Sequence, residues 1–536
     1  MALDDRSRRD FLSLAASGTL TGAALGRGAL GTVAAPHPGT THVQELDVRA
    51  FGALGDGQTL DTQAINQAIA TAAANGGGVV RFYAGVYLSQ SIHLESRITL
   101  YLDQGATLLA ADPSPEGGSA AGYDLAEPNP WDQYQDFGHS HWHNSLIWGE
   151  DLENIAILGP GRIWGKGLSK GYGPGPKAET PGVGNKAISL KNCHHVTLRD
   201  FSVLEGGHFA ILATGVDDLT LDNLILDTNR DGMDIDCCRN VRVSNCSVNS
   251  PWDDGICLKS SFGLGYARAT EMVTITNCFV TGGYQLGTLL DGTMKPLPDA
   301  PRTERTGRIK FGTESNGGFK NITISNCVFD TCQGLALETV DGAALEDVTI
   351  TNITMRGITS APIFLRLGSR MRGPQGVPVG TLRRVLISNL VSSNSQSRLA
   401  CMITGIPGHP VEDVKLSNIY LQHQGGGTEE DAAIEPPEKE TAYPEPNMFG
   451  PLPAHGFFIR HAKGIEMTNI EVEYLKADAR PALALDDVQE VDILRLKARQ
   501  AAGRPIFALH RVDDFHVDLS RPVPDTHLDH VDKQKL

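Results

Sequence analysis

The sequence predicts an all-β chain, a right-handed parallel β-helix, and three observations carry that reading. An apolar-x-apolar-x-Asn phrase recurs at least eight times. The shortest intervals, from Asn223 to Asn245 and from Asn326 to Asn352, give coils of 22 and 26 residues. Glycine, at 59 of 536 residues, is more frequent than in ordinary globular chains, as expected where short elements and turns dominate.

Each phrase alternates apolar and polar side chains, which is the pattern of a short strand with one buried face. The phrases run Leu219–Asn223, Val241–Asn245, Val273–Asn277, Ile322–Asn326, Val348–Asn352, Val385–Asn389, Val414–Asn418 and Ile465–Asn469. Weaker echoes end at Gly159 and Asp200. The closing Asn tolerates a left-handed backbone at a tight bend. A single coil of this size cannot bury its apolar face, whereas stacked coils bury a continuous core. A helical solenoid would need 3.6-residue periodicity, and a propeller would need longer, more regular blades.

The elements follow in order. Residues 1–35 read as a twin-arginine signal peptide: Arg8-Arg9 in Ser7–Leu12, a weakly apolar Ala/Gly/Leu stretch, then the small-x-small site Thr32-Val33-Ala34. This implies a periplasmic or extracellular protein. Residues 45–520 form the β-helix, opened by a terminal helix that Asp61 caps and Asn75-Gly76-Gly77-Gly78 stops. Residues 521–536 are a C-terminal tail. Excursions at 112–143, 284–306 and 423–454 interrupt the coils, and solenoids place binding walls on such insertions. The nine cysteines lack paired spacing and read as small apolar core residues, with Cys246, Cys278 and Cys327 stacked at one repeated position.

The formal charge of −17 argues against nucleic acid and anionic membranes as partners. A soluble monomer acting on a polysaccharide or oligosaccharide is expected. No cofactor and no metal are expected.

Chemistry concentrates in Asn229–Asp236 and, one coil later, in Trp252–Ile256. Crowded carboxyls push one pKa up and leave another low, which suits acid–base cleavage of a glycosidic bond. Asp231, Asp253 and Asp254 are the catalytic candidates, with Asp234 beside them. Stacking places His208 one coil below. Arg230, Lys259, Arg308, Lys310 and Arg366 supply cations for an acidic sugar, since one or two suffice to hold a carboxylate. Trp142 and His143, in the run His139–His143, are candidates for a cleft wall that stacks on a sugar ring.

From about Asp47 to the end, the chain resembles glycoside hydrolase family 28, the polygalacturonase-like enzymes. The resemblance rests on Phe51–Gly57 with the helix after it, on Asn229-Arg230-Asp231-Gly232 set against the family's Asn-Thr-Asp-Gly, and on the pair Asp253-Asp254. It implies an inverting hydrolase in which Asp253 is the general acid and Asp231 and Asp254 hold and deprotonate water. Two departures stand out. Gly307 takes the place of the Gly-His-Gly histidine, and Ala336-Leu337-Glu338 aligns with the family's Arg-Ile-Lys. With Glu338 accepting a sugar hydroxyl, these departures point to an exo-acting member working on rhamnogalacturonan or oligogalacturonide. A calcium-dependent β-helix lyase and a non-catalytic glycan-binding β-helix are the alternatives.

Overall fold

The computed structural model describes residues 44–113, 122–173, 175–298, 305–521 and 523–536, so the twin-arginine segment lies outside the described residues. From Glu45 onward the chain winds as a right-handed parallel β-helix. Consecutive coils pair parallel and in register: Leu219 lies against Val241, Val241 against Val273, and Val273 against Ile322. Inward-pointing residues merge into one apolar core that runs from Val48 to Val531.

The phrase-ending asparagines do what their chemistry suggests. All eight adopt positive φ, between 53° and 57°. Their side chains also bond along the helix axis: the Asn352 amide donates to Asn326 at 3.0 Å, Asn389 to Asn352 at 3.3 Å, Asn418 to Asn389 at 3.1 Å and Asn469 to Asn418 at 3.0 Å. Bend and ladder are thus fixed by the same residue in each coil. All nine cysteines are unpaired and buried.

The helix Thr62–Ala74 buries Ala64, Ile65, Ala68, Ile69 and Ala72 against the first strands and the turn Val48–Phe51. Asp61 precedes it without capping it. Its carboxylate instead accepts from the backbone N–H of Leu54 at 2.7 Å and Gly55 at 3.0 Å, pinning the preceding loop. The C-terminal segment is not a loose tail: Thr526–Lys535 pairs antiparallel with Phe507–Asp518, and so covers the edge of the last coil.

One stack of strands positions the site: Phe209–Thr214, Asp231–Asp236, Ile256–Ser260, Ile309–Ser315, Leu335–Thr339 and Ile363–Leu367. Met233, Ile235, Ile256, Leu258, Ile309, Phe311, Leu335 and Leu337 point into the core. Strand alternation then turns Asp234, Lys259, Lys310, Glu338 and Arg366 to the outer face. No helix among the described residues is long and apolar enough to cross a membrane.

Replacing Asn352 with Ala should cost about 1–2 kcal/mol, because it loses left-handed tolerance and both ladder hydrogen bonds, to Asn326 and from Asn389. Asn352→Gly keeps the backbone freedom and should cost less. Urea unfolding midpoints of the two variants test this, and equal losses would assign the effect to the side-chain ladder alone.

Candidate active site

Three consecutive coils build the cluster. Met233 pairs with Ile256 and the Gly232 N–H donates to the Asp254 carbonyl, so Asp254 stacks over Asp231 with an offset of 254 − 231 = 23 residues. Asp253 therefore sits beside that row and not in it. Ile256 pairs in turn with Ile309, which brings Arg308 and Lys310 over Asp254. One oxygen each from Asp231, Asp253 and Asp254 lies within 4.8 Å of the others. That is tighter than the roughly 6.5–9.5 Å usual between acid and base in inverting glycosidases.

The three carboxyls have different surroundings. Asp254 is buried, and burial alone would raise its pKa. Lys310, Arg308 and Lys259 overcome that and hold it at about 2. Arg308 Nε donates to Asp254 Oδ1 at 2.8 Å, and Lys310 Nζ lies 3.4 Å from Oδ2. Asp231 goes the other way. Burial, then the charges of Asp234 and Asp253, push it well above the usual carboxylate range, and its Oδ1 has no hydrogen-bond partner. Asp253 is the most accessible of the three, with 27% of its side chain exposed. Arg230 donates to Asp253 Oδ2 through Nε at 2.9 Å and Nη2 at 2.7 Å.

A second buried charge network flanks the first. The His139 ring lies 2.7 Å from Asp234, and Lys259 bridges Asp234 at 3.6 Å and Glu314 at 3.2 Å. His139 comes from the 112–143 excursion, and Glu445, from the 423–454 excursion, reaches Arg308 and Lys310. Two of the three insertions thus do close on the site. Exposed tyrosines mark its rim: Tyr172 lies under the Arg230 guanidinium at 5.2 Å and Tyr443 under the Lys310 ammonium at 5.4 Å.

Several sequence expectations need correction. Trp142 is buried, donates to Thr214 Oγ1 at 3.0 Å and lies beneath Lys191, so it offers no sugar platform. His143 stacks on Trp148 and bonds Glu150 at 2.8 Å, a contact internal to the wall. Arg366 is buried and donates to the carbonyls of Gly405, Glu438 and Lys439, which makes it a support for the 423–454 excursion. His208 stacks under Arg230, not under Asp231, because Phe209 is the ladder partner of Asp231. Its ring lies flat on Phe209, 4.0 Å between centroids, and burial lowers its pKa well below the usual histidine value.

Glu338 is the most informative correction. It is fully buried, both its oxygens lack hydrogen-bond partners, and Lys310 Nζ is 3.8 Å away. It therefore lies beneath Lys310, out of reach of a sugar. The cations that the alignment at Ala336–Glu338 left unaccounted for stand one coil earlier, as the literal triplet Arg308-Ile309-Lys310. Arg308 and Lys310 are already candidates for holding an acidic sugar; what the alignment missed is that they form the triplet itself. Glu445, Tyr443, Tyr172 and Glu314 carried no local signal in the sequence; only the fold brings them to the cluster.

The same trio of acids could in principle share a metal ion, but Arg230, Arg308 and Lys310 already bring three positive charges to it. That balance suits carboxyls engaged in proton transfer.

Comparisons with known proteins agree with the fold. Residues 186–372 match the family described as "Right handed beta helix region" and residues 46–128 match "Rhamnogalacturonase A/epimerase, pectate lyase-like". A probable polygalacturonase of Vitis vinifera is 23% identical over 69% of this chain and 73% of its own length. Among solved structures, a family 28 exopolygalacturonase of Yersinia enterocolitica is similar in fold, with a TM-score of 0.62 and 19% identity over 84% of this chain and 78% of that one. An exopolygalacturonase of Thermotoga maritima gives 0.55 and 15% over 92% and 95%.

Burial lifts the Glu338 pKa to about 8 against Lys310 and Arg308, which pull it down. A carboxyl raised on folding adds stability below its unfolded value near 4.5, and that stability is lost as pH rises toward 8. Glu338→Gln should therefore lose less stability than the wild type between pH 5 and pH 8 in urea titrations. Parallel losses would mean that Glu338 is ionised throughout that range.

Proposed function

We propose that this chain, a polygalacturonase-like glycoside hydrolase, cleaves a glycosidic bond next to an acidic sugar of a pectic chain, one residue at a time from an end. The observation that carries the reading is the Arg308–Lys310 pair, two cations that hold Asp254 ionised and that Glu445 of the 423–454 excursion also reaches. An Arg–Lys pair suits a uronate carboxylate, since the guanidinium binds it directionally and the ammonium as a point charge. The neutral-sugar reading rested on Glu338, and that side chain lies below Lys310. An oligogalacturonide therefore fits better than rhamnose at this position.

In the proposed reaction, Asp254 removes a proton from water as the water oxygen attacks the anomeric carbon. Asp253 delivers a proton to the departing glycosidic oxygen. Asp231 lies buried beside it, and Asp253, the more exposed of the two, meets the substrate. Both oxygens of Asp254 face cations, Arg308 on one and Lys310 on the other, which leaves Asp254 better placed as a base for water than as a nucleophile on carbon. This supports inversion, together with the family resemblance, despite the close spacing of the carboxyls. Exo action is supported by the 423–454 excursion, whose Tyr443 and Glu445 stand over Lys310. Export is supported by Arg8-Arg9 and the stretch that follows.

The test is product analysis on oligogalacturonides and rhamnogalacturonan oligosaccharides in heavy-oxygen water, with and without chelator. The expected result is a single galacturonate released per event, labelled at its new anomeric oxygen and unaffected by chelator. Unlabelled, unsaturated products lost with chelator would make the protein a lyase, and release of rhamnose would return the neutral-sugar reading.

A further inference from the structure

Arg308 and Lys310 already hold a carboxylate that is not part of the acid cluster. Glu445 Oε1 accepts from Arg308 Nη2 at 2.5 Å and lies 3.5 Å from Lys310 Nζ. The arrangement is asymmetric. The two cations are buried, with 2% of each side chain exposed, while Glu445 retains 26%. Glu445 is also not part of any coil. It sits at the start of the short turn Pro446–Phe449 in the 423–454 excursion, next to the exposed Tyr443. A cavity of about 350 Å³ opens beside it, lined also by Asn447 and Gln333, so the side chain has room to leave.

We propose that Glu445 is a displaceable internal carboxylate that occupies the place of the substrate's uronate group on Arg308 and Lys310, and that its competition sets how tightly the groove holds an acidic sugar. The inference rests on the uronate reading above. In the empty groove Glu445 satisfies two buried cations that would otherwise lack a full complement of partners. When a uronate arrives, one carboxylate replaces another on the same donors, so the pocket is not left with unpaired charge at either stage. A neutral sugar makes no such exchange, because it would leave Glu445 in place or strand the cations. Glu445 would therefore set the affinity for acidic sugars: it weakens the binding of each by a constant factor and leaves the binding of a neutral sugar, which makes no exchange on these cations, unchanged.

The test titrates galacturonic acid and galactose into the wild type, Glu445→Gln and Glu445→Ala by calorimetry, alongside thermal melting of each protein. Removing the competitor should tighten galacturonic acid binding by about 2- to 5-fold, the range for a partly exposed ion pair, and lower KM for oligogalacturonides. Galactose binding should not tighten. The glutamine variant keeps the shape of the side chain, so it remains informative if the alanine variant is unstable. Unchanged or weaker galacturonic acid binding in folded variants would overturn the proposal and make Glu445 an anchor for the wall. If galacturonic acid binds the wild type and both variants no better than galactose, the uronate reading itself fails, and this inference with it.

Discussion

The register between successive coils is the constraint on which the rest of this protein depends. Each coil must bend at the same point, or the next strand slips by a residue and turns its apolar side chains outward. The left-handed asparagines at 223, 245, 277, 326, 352, 389, 418 and 469 fix that bend. Because the register holds, residues far apart in sequence meet at fixed heights. Asp231, Asp254 and Arg308 lie on three successive coils, and the 54-residue offset from Asp254 to Arg308 is one coil lengthened by the excursion after Phe279–Thr281, which leaves the stack undisturbed.

The outer face of one strand stack then becomes an electrostatic device. Pairing is dense: Lys259 with Asp234 and Glu314, Lys310 with Asp254, Glu338 and Glu445, and Arg230 with Asp253. Burial strengthens every one of these interactions, and what separates the acids is which cations each one faces. Asp254 has two on its oxygens, which hold its pKa low; Asp231 has an unpartnered oxygen and acidic neighbours, and burial with those charges pushes its pKa well above the usual carboxylate range. Adjacent carboxyls whose pKa values are pushed apart are the arrangement that acid–base hydrolysis needs.

Much of this was legible in the sequence because it is periodic. The Asn phrases gave the solenoid, and the 22-residue interval between the acidic clusters placed them on one flank, although the ladder offset proved to be 23, with Asp254 over Asp231. The aromatic and histidine wall was read less well. Trp142 and Arg366 have the composition of ligand contacts, but Trp142 packs inward and Arg366 bonds backbone carbonyls, and side-chain direction in an insertion has no period to reveal it. Glu338 misled for a different reason. Its alignment to a lysine position was read as a change of chemistry, when the cations were present one coil earlier in Arg308-Ile309-Lys310. Glu445 could not have been anticipated, since its partners lie more than 130 residues away.

The central claim is that Arg308 and Lys310 hold Asp254 ionised so that it can act as the base. The acidic limb of the pH dependence of kcat/KM reports that base in the free enzyme. The most direct measurement compares this limb in the wild type and in Lys310→Met on an oligogalacturonide. The account predicts that the limb moves to higher pH in the variant, whatever the loss in absolute rate, because the cation that most opposes the burial of Asp254 has gone. A limb that stays in place would contradict it, and would assign the base to a group that Lys310 does not touch.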